Sequence, residues 1–150
     1  MITLKKGDLV PDFESKDQDG NPIKLSDYKG TKVVLYFYPK DNTPGCTAES
    51  CNLRDNYEAL RAQGYEVLGV SSDGAASHQK FINKYDLPFK LIADEDKSVQ
   101  KALGVWGEKK MYGKTYMGTL RTTFLIDEEG KIEEVIEKVK TKDHAAQILK

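Results

Sequence analysis

The sequence predicts a single α/β domain of three layers, in which helices cover a central mixed sheet and a β-hairpin extends the N-terminus. Three observations carry this expectation. β-branched and aromatic runs alternate with stretches of helical periodicity, the element order of βα units packed on a sheet. The run Lys32-Val-Val-Leu-Tyr-Phe-Tyr38 has no polar break, as a strand buried on both faces requires. A late apolar strand, a turn and a further strand read as a hairpin, so antiparallel pairing joins the parallel units.

Taken in order, Phe13 to Lys16, the turn-rich Asp17-Gln-Asp-Gly-Asn-Pro22 and Ile23 to Leu25 read as the N-terminal hairpin. Ser26-Asp-Tyr-Lys-Gly30 is a tight connection, and Pro39 stops the strand that follows it. From Thr47 to about Gln63 a helix is expected, because Leu53, Tyr57 and Leu60 recur at spacings of four and three and Gly64 stands where a helix C-cap belongs. Tyr65 to Ser71 returns to strand character. A helix over Ser77 to Tyr85, a strand over Phe89 to Ala93 and a helix near Lys97 to Leu103 continue the alternation. Trp106, Tyr112 and Tyr116 fall in a long connection. Thr122 to Ile126, the turn Asp127-Glu-Glu-Gly130 and Lys131 to Val139 form the late hairpin, and Asp143 to Leu149 a closing helix. This order fits a three-layer fold of the thioredoxin kind, spanning residues 1–150 as one domain.

The 150-residue length allows one hydrophobic core without disulfide staples. With 39% hydrophobic and 31% charged residues and a formal net charge of -1, the chain has no basic field to attract nucleic acid or anionic lipid. Small molecules or proteins are the expected partners. The N-terminal residues lack a secretory signal pattern and no apolar run approaches spanning length, so a cytoplasmic location is expected. In a reducing compartment, two nearby cysteines read as redox or metal chemistry rather than a structural staple.

Cys46 falls where the strand ending at Tyr38 gives way to the helix, in the first helical turn. Unsatisfied backbone N–H groups and the positive end of the helix dipole there favour the nucleophilic thiolate. Cys51, on the same helix, differs from it by about 140° in direction and lies roughly 8–9 Å away between Cα atoms, beyond the ~7 Å reach of a disulfide. Cys46 falls within about 20° of Leu53, on the core side, whereas Cys51 shares its face with Asp55 and Glu58. Any bond between the two sulfurs therefore requires the first turns of the helix to unwind. A zinc site lacks a second ligand pair. A dithiol exchanger would place two residues between its cysteines, where this chain has four.

Pro39, Thr43 and Cys46 meet the pattern of Pro, three residues, Thr or Ser, two residues and Cys. Together with the stretches Tyr36 to Glu49 and Val105 to Gly118, they make the chain resemble the peroxiredoxins over nearly its whole length, in particular the bacterioferritin-comigratory or Q-type group. The resemblance implies a peroxidase in which Cys46 is the peroxidatic cysteine and Cys51 the resolving one. Thr43 would accept a hydrogen bond from the peroxide, and Pro39 would shield the pocket. Thr43 also fits a plain helix-capping role. Arg121, in Gly118-Thr-Leu-Arg-Thr-Thr-Phe-Leu-Ile126, matches the family's active-site arginine. Glu49 is expected to support that arginine, although the helix dipole alone favours an acid there.

No metal, haem or flavin is implied; the expected partners are a hydroperoxide and a thioredoxin-like dithiol reductant, and a monomer suffices for the cycle. His78 and His144 lie in polar helical segments and are expected at the solvated surface. Trp106, Tyr112 and Tyr116 are left without a role. A protein disulfide reductase and a non-enzymatic holdase are the competing readings, and neither accounts for Thr43 and Arg121 alongside Cys46.

Overall fold

The structure is a computed structural model that describes residues 2–150. The chain opens with a hairpin of β1 (Glu14–Lys16) and β2 (Pro22–Lys24), passes through a 3-10 turn at Leu25–Tyr28 and enters β3 (Lys32–Phe37). Helices α1 (Pro44–Asp55) and α2 (Tyr57–Ala62) lead to β4 (Tyr65–Ser71), and α3 (Ala75–Tyr85) leads to β5 (Lys90–Ala93). After α4 (Ser98–Ala102) come β6 (Trp106–Met111), β7 (Lys114–Thr119), β8 (Thr122–Ile126), β9 (Ile132–Ile136) and α5 (His144–Ile148).

Five strands form a mixed sheet in the order β5-β4-β3-β8-β9. β3, at its centre, pairs in parallel with β4 and antiparallel with β8, which explains why its run from Val33 onward is apolar. Because side chains alternate across a strand, β3 supplies both faces of the core. Val33, Leu35 and Phe37 join Val10, Phe13, Ile23, Val99, Leu103 and Val105 on one face, beneath the N-terminal hairpin and α4. Val34, Tyr36 and Tyr38 join Cys46, Leu53, Leu60, Phe81, Ala145 and Ile148 on the other, beneath the remaining helices. This is the thioredoxin-like sandwich expected from the sequence. No helix among the described residues is long and apolar enough to cross a membrane.

Two local expectations change. The helix expected to run unbroken to Gln63 is interrupted at Asn56, whose φ of -111° and ψ of 13° depart from helical values. Its side-chain amide donates to the Asn52 carbonyl at 2.9 Å, a local competition with helical geometry that Asn readily makes. The segment read as a long connection is instead the antiparallel β6–β7 hairpin, turned by Tyr112 and Gly113 at φ of 52° and 76°. A two-residue turn with both central φ positive matches strand twist, but a tyrosine at its first position conceals the usual Asn-Gly or Asp-Gly signal. Met111, Tyr112, Tyr116 and Met117 are exposed along it, and Trp106 is half-buried with the Lys97 ammonium 5.2 Å from its ring centroid.

Register brings two distant segments together at one end of the sheet. Phe37 pairs with Thr122, so the residues leaving β3 stand beside those entering β8. On the adjoining strand, Gly69 lies opposite Tyr36, and a Cβ at that position would come within 2.6 Å of Leu91 Cδ2 and 2.8 Å of Tyr36 Cζ. The Tyr36 hydroxyl is itself tied to Ser50 of α1 at 2.9 Å, so the ring has little room to yield. Gly69→Ala is therefore expected to lower unfolding free energy by about 1–3 kcal/mol, read by urea denaturation. A change within about 0.5 kcal/mol, the ordinary range for surface substitutions, would mean the Tyr36 packing is not rigid.

Candidate active site

The strand β3 delivers the loop Tyr38 to Thr43, and Pro44 then starts α1 with a fixed φ at a position that needs no N–H donor. Cys46 is the third residue of that helix and is buried, while Glu49, one turn later, is completely buried. Arg121 reaches this turn from the residue preceding β8. Its Nη2 donates to Cys46 Sγ at 3.2 Å and its Nη1 to Glu49 Oε1 at 2.6 Å. A single guanidinium thus bridges the sulfur and the carboxylate, using the planar donor geometry that lysine lacks.

Gly45, which no sequence motif marks, leaves room for this approach. A Cβ there would stand 3.3 Å from Arg121 Nη2. Its position directly before Cys46 was the available signal.

Thr43 occupies the N-cap position with extended backbone, but its side chain makes no cap hydrogen bond. Its hydroxyl instead donates to the Lys40 carbonyl at 2.8 Å, which leaves the oxygen's lone pairs free to accept. The capping role is therefore not the one observed. Pro39 is half-buried beside the same loop.

Cys51 lies in α1 with Cys46, and both thiols are free. It is half-buried on a different side of the helix, in keeping with the angular reading. Burial pushes the Cys51 thiol up, Arg54 pulls it down and Asp55 adds to the rise.

Both histidines are buried rather than solvated, contrary to the sequence expectation. His78 was hidden by its polar neighbours, although it lies on the same helical stripe as Phe81, Ile82 and Tyr85. Its Nδ1 meets Asp41 Oδ2 at 2.7 Å and its Nε2 meets the Ile92 carbonyl at 2.8 Å. Asp41 also accepts from the Tyr38 hydroxyl at 2.6 Å and the Ser77 hydroxyl at 2.9 Å, and its backbone N–H donates to Asp73 at 2.8 Å. Asp41, Asp73 and His78 bring ligand-type atoms within 4.8 Å of one another. Those atoms are engaged in internal hydrogen bonds that latch the loop before α1, so the group reads as a structural clasp. His144 is buried because α5 packs beside α1, where Asn52 ties the helices by accepting from the Ala145 N–H at 2.7 Å and donating to the Lys142 carbonyl at 3.2 Å.

Burial pushes Glu49 up to about 7 from 4.5, outweighing the opposing pull of Arg121. Since the folded state binds this proton more tightly than the unfolded state, the associated stability is complete below about 4.5 and is lost as pH rises through about 7. In urea denaturation, wild type is expected to lose about 3 kcal/mol relative to Glu49→Gln across that window. A constant difference between the two proteins would show that folding does not tighten the hold of Glu49 on its proton.

Residues 6–135 match the model of the AhpC/TSA family. The chain is 48% identical over 148 residues to the peroxiredoxin Bcp of Bacillus subtilis, covering 99% of this chain and 94% of that protein. Among solved structures, PrxQ of Xylella fastidiosa superimposes with a TM-score of 0.90 at 35% identity, covering 97% of this chain and 92% of that one. The bacterioferritin comigratory protein of Xanthomonas campestris, which has alkyl peroxide reduction activity, gives a TM-score of 0.87 at 34% identity, covering 99% and 94%. With a family match across most of its length and relatives aligned almost end to end, this chain belongs to the AhpC/TSA family and, within it, to the peroxiredoxins of the Bcp or Q type.

Proposed function

We propose that the chain works as one domain that reduces hydrogen peroxide and organic hydroperoxides through Cys46, and that Cys51 completes the cycle. The observation that carries this reading is the Arg121 guanidinium on Cys46 Sγ at 3.2 Å. A permanent cation beside the sulfur stabilises the negative charge that spreads onto the peroxide as the O–O bond breaks. Thr43 accepts a hydrogen bond from the peroxide O–H, a role its free lone pairs support, and Pro39 restricts solvent access. Glu49 holds Arg121 in place from behind.

The thiolate attacks the terminal peroxide oxygen. The S–O bond forms as the O–O bond breaks, and the departing oxygen leaves as water or alcohol after taking a proton. Cys46 becomes a sulfenic acid. Cys51 then condenses with it, releasing water and forming a disulfide. Both residues belong to one intact helix, so this step requires the first turns of α1 to open. A thioredoxin-like dithiol protein reduces the disulfide by exchange. Organic hydroperoxides are included because the Xanthomonas relative reduces alkyl peroxides. A reducing compartment such as the cytoplasm suits the cycle, no metal or organic cofactor enters it, and a monomer suffices because both cysteines are on one chain.

One equivalent of hydrogen peroxide should lower the intact mass by two hydrogens and link Cys46 to Cys51 in a peptide map; an unchanged mass would refute the cycle. Cys46→Ser should abolish peroxide consumption, and retained turnover would move the nucleophile elsewhere. Cys51→Ser should consume a first equivalent, stall with thioredoxin and progress more readily to sulfinic acid. Arg121→Ala should slow the second-order reaction with peroxide by roughly 10²–10³-fold, the usual cost of losing a charge-stabilising donor.

A further inference from the structure

Behind the Arg121–Glu49 pair lies a second buried contact that the reaction scheme leaves unused. Glu49 Oε2 has no hydrogen-bond partner, although the carboxylate is completely buried. It faces Nε2 of His144, 3.6 Å away and equally buried.

The proton positions on His144 follow from its neighbours. Its Nδ1 meets Gln147 Oε1 at 2.8 Å. That same oxygen accepts from the Lys140 N–H at 2.9 Å, while Gln147 Nε2 donates to the Lys138 carbonyl at 2.9 Å, which fixes the amide's orientation. Nδ1 must therefore carry a hydrogen. Burial lowers the His144 pKa, Gln147 opposes that and Arg121 adds to it, so the ring is neutral near pH 7. Its Nε2 then presents a lone pair, which accepts from the Thr123 hydroxyl at 2.7 Å.

An ionised, unpartnered carboxylate oxygen facing that lone pair would be doubly unfavourable. A proton on Oε2 removes the charge and turns a hydrogen toward the lone pair of Nε2, which it shares with the Thr123 hydroxyl. We propose, on the basis of the peroxidase reading above, that His144 is a positioning residue for the reaction, sharing one buried proton with Glu49 so that the charge of Arg121 is left free for Cys46.

The surrounding charges give this its direction. Arg121 enters from the segment before β8, and Lys109 of β6, whose Nζ is held on the Thr119 carbonyl, adds a second nearby cation. Cys46 lies on α1, and Tyr36 comes from β3 with its hydroxyl bonded to Ser50 and kept neutral by burial. While the proton is shared, the Glu49–His144 pair is uncharged and Arg121 serves the sulfur alone. Once it is lost, the carboxylate competes for the same guanidinium. The rate of reaction with peroxide should therefore fall at the alkaline end.

The test is the pH profile of the second-order rate constant of the reduced full-length protein with hydrogen peroxide, followed by stopped flow. Wild type should show the alkaline fall, and Glu49→Gln should lack it. His144→Phe removes the proton acceptor and frees the Thr123 hydroxyl for the carboxylate. It should move the fall about one pH unit lower, a loss of about tenfold at fixed alkaline pH that acidification restores. In a Glu49→Gln background, His144→Phe should leave the profile's shape unchanged. A uniform loss at every pH, or an unmoved midpoint, would overturn the proposal. Infrared difference spectra of wild type against Glu49→Gln read the proton without turnover. A protonated carboxyl band that disappears with rising pH is expected, and its absence would overturn the proposal even if His144→Phe did not fold. Because this second reading needs no peroxide, it separates failure of the shared proton from failure of the peroxidase assignment.

Discussion

A guanidinium with one nitrogen on a buried sulfur and another on a buried carboxylate imposes conditions on everything around it. Arg121 must enter from a rigid element, because a displaced fork would release one of its two partners. Its partners must both sit on the first turns of one helix, three residues apart, so that they face the same way. The backbone at Gly45 passes close beneath it, where a Cβ would stand 3.3 Å from Nη2. The sheet meets the first condition through the pairing of Phe37 with Thr122, which fixes where β3 ends relative to where β8 begins.

The same region is held in place on both sides of the turn that carries Cys46. The loop before α1 is latched by Asp41, His78, Tyr38, Ser77 and Asp73, a fully engaged hydrogen-bond network in the interior. Farther along α1, Asn52 is fastened by one hydrogen bond to α5 and by another to the Lys142 carbonyl just before it, and Ser50 to Tyr36 of the central strand. Between these anchors lies the turn that carries Cys46. An opening of that turn, as the proposed cycle requires, would leave the sheet undisturbed. The buried Glu49–His144 contact brings α5 against that turn, so the closing helix lines the interior behind the Arg121–Glu49 pair as well as covering the core.

Legibility differed by kind of signal. The apolar run of β3, the helical stripe with Leu53 and Leu60 and the Pro39, Thr43, Cys46 spacing were all visible, because each is a local pattern with a local cause. The orientation of Cys46 toward Leu53 and away from Cys51 followed from helix geometry alone. The β6–β7 hairpin was missed because its turn uses Tyr112 where Asn or Asp would announce it. His78 and His144 were misplaced because burial depends on what packs against a helix, and polar neighbours along the chain say nothing of that.

By itself, then, the sequence determined the order of elements, the thiol at a helix start and the family pattern that marks Thr43 and Arg121, since these rest on contacts between near neighbours or on motif spacing. Only the tertiary structure decided which groups surround that thiol. Residues as distant as Cys46, Arg121 and His144 meet through sheet register and helix packing, and the burial that results gives Glu49 its tight hold on a proton. Desolvation is a property of the assembled interior, with no counterpart in the order of residues along the chain.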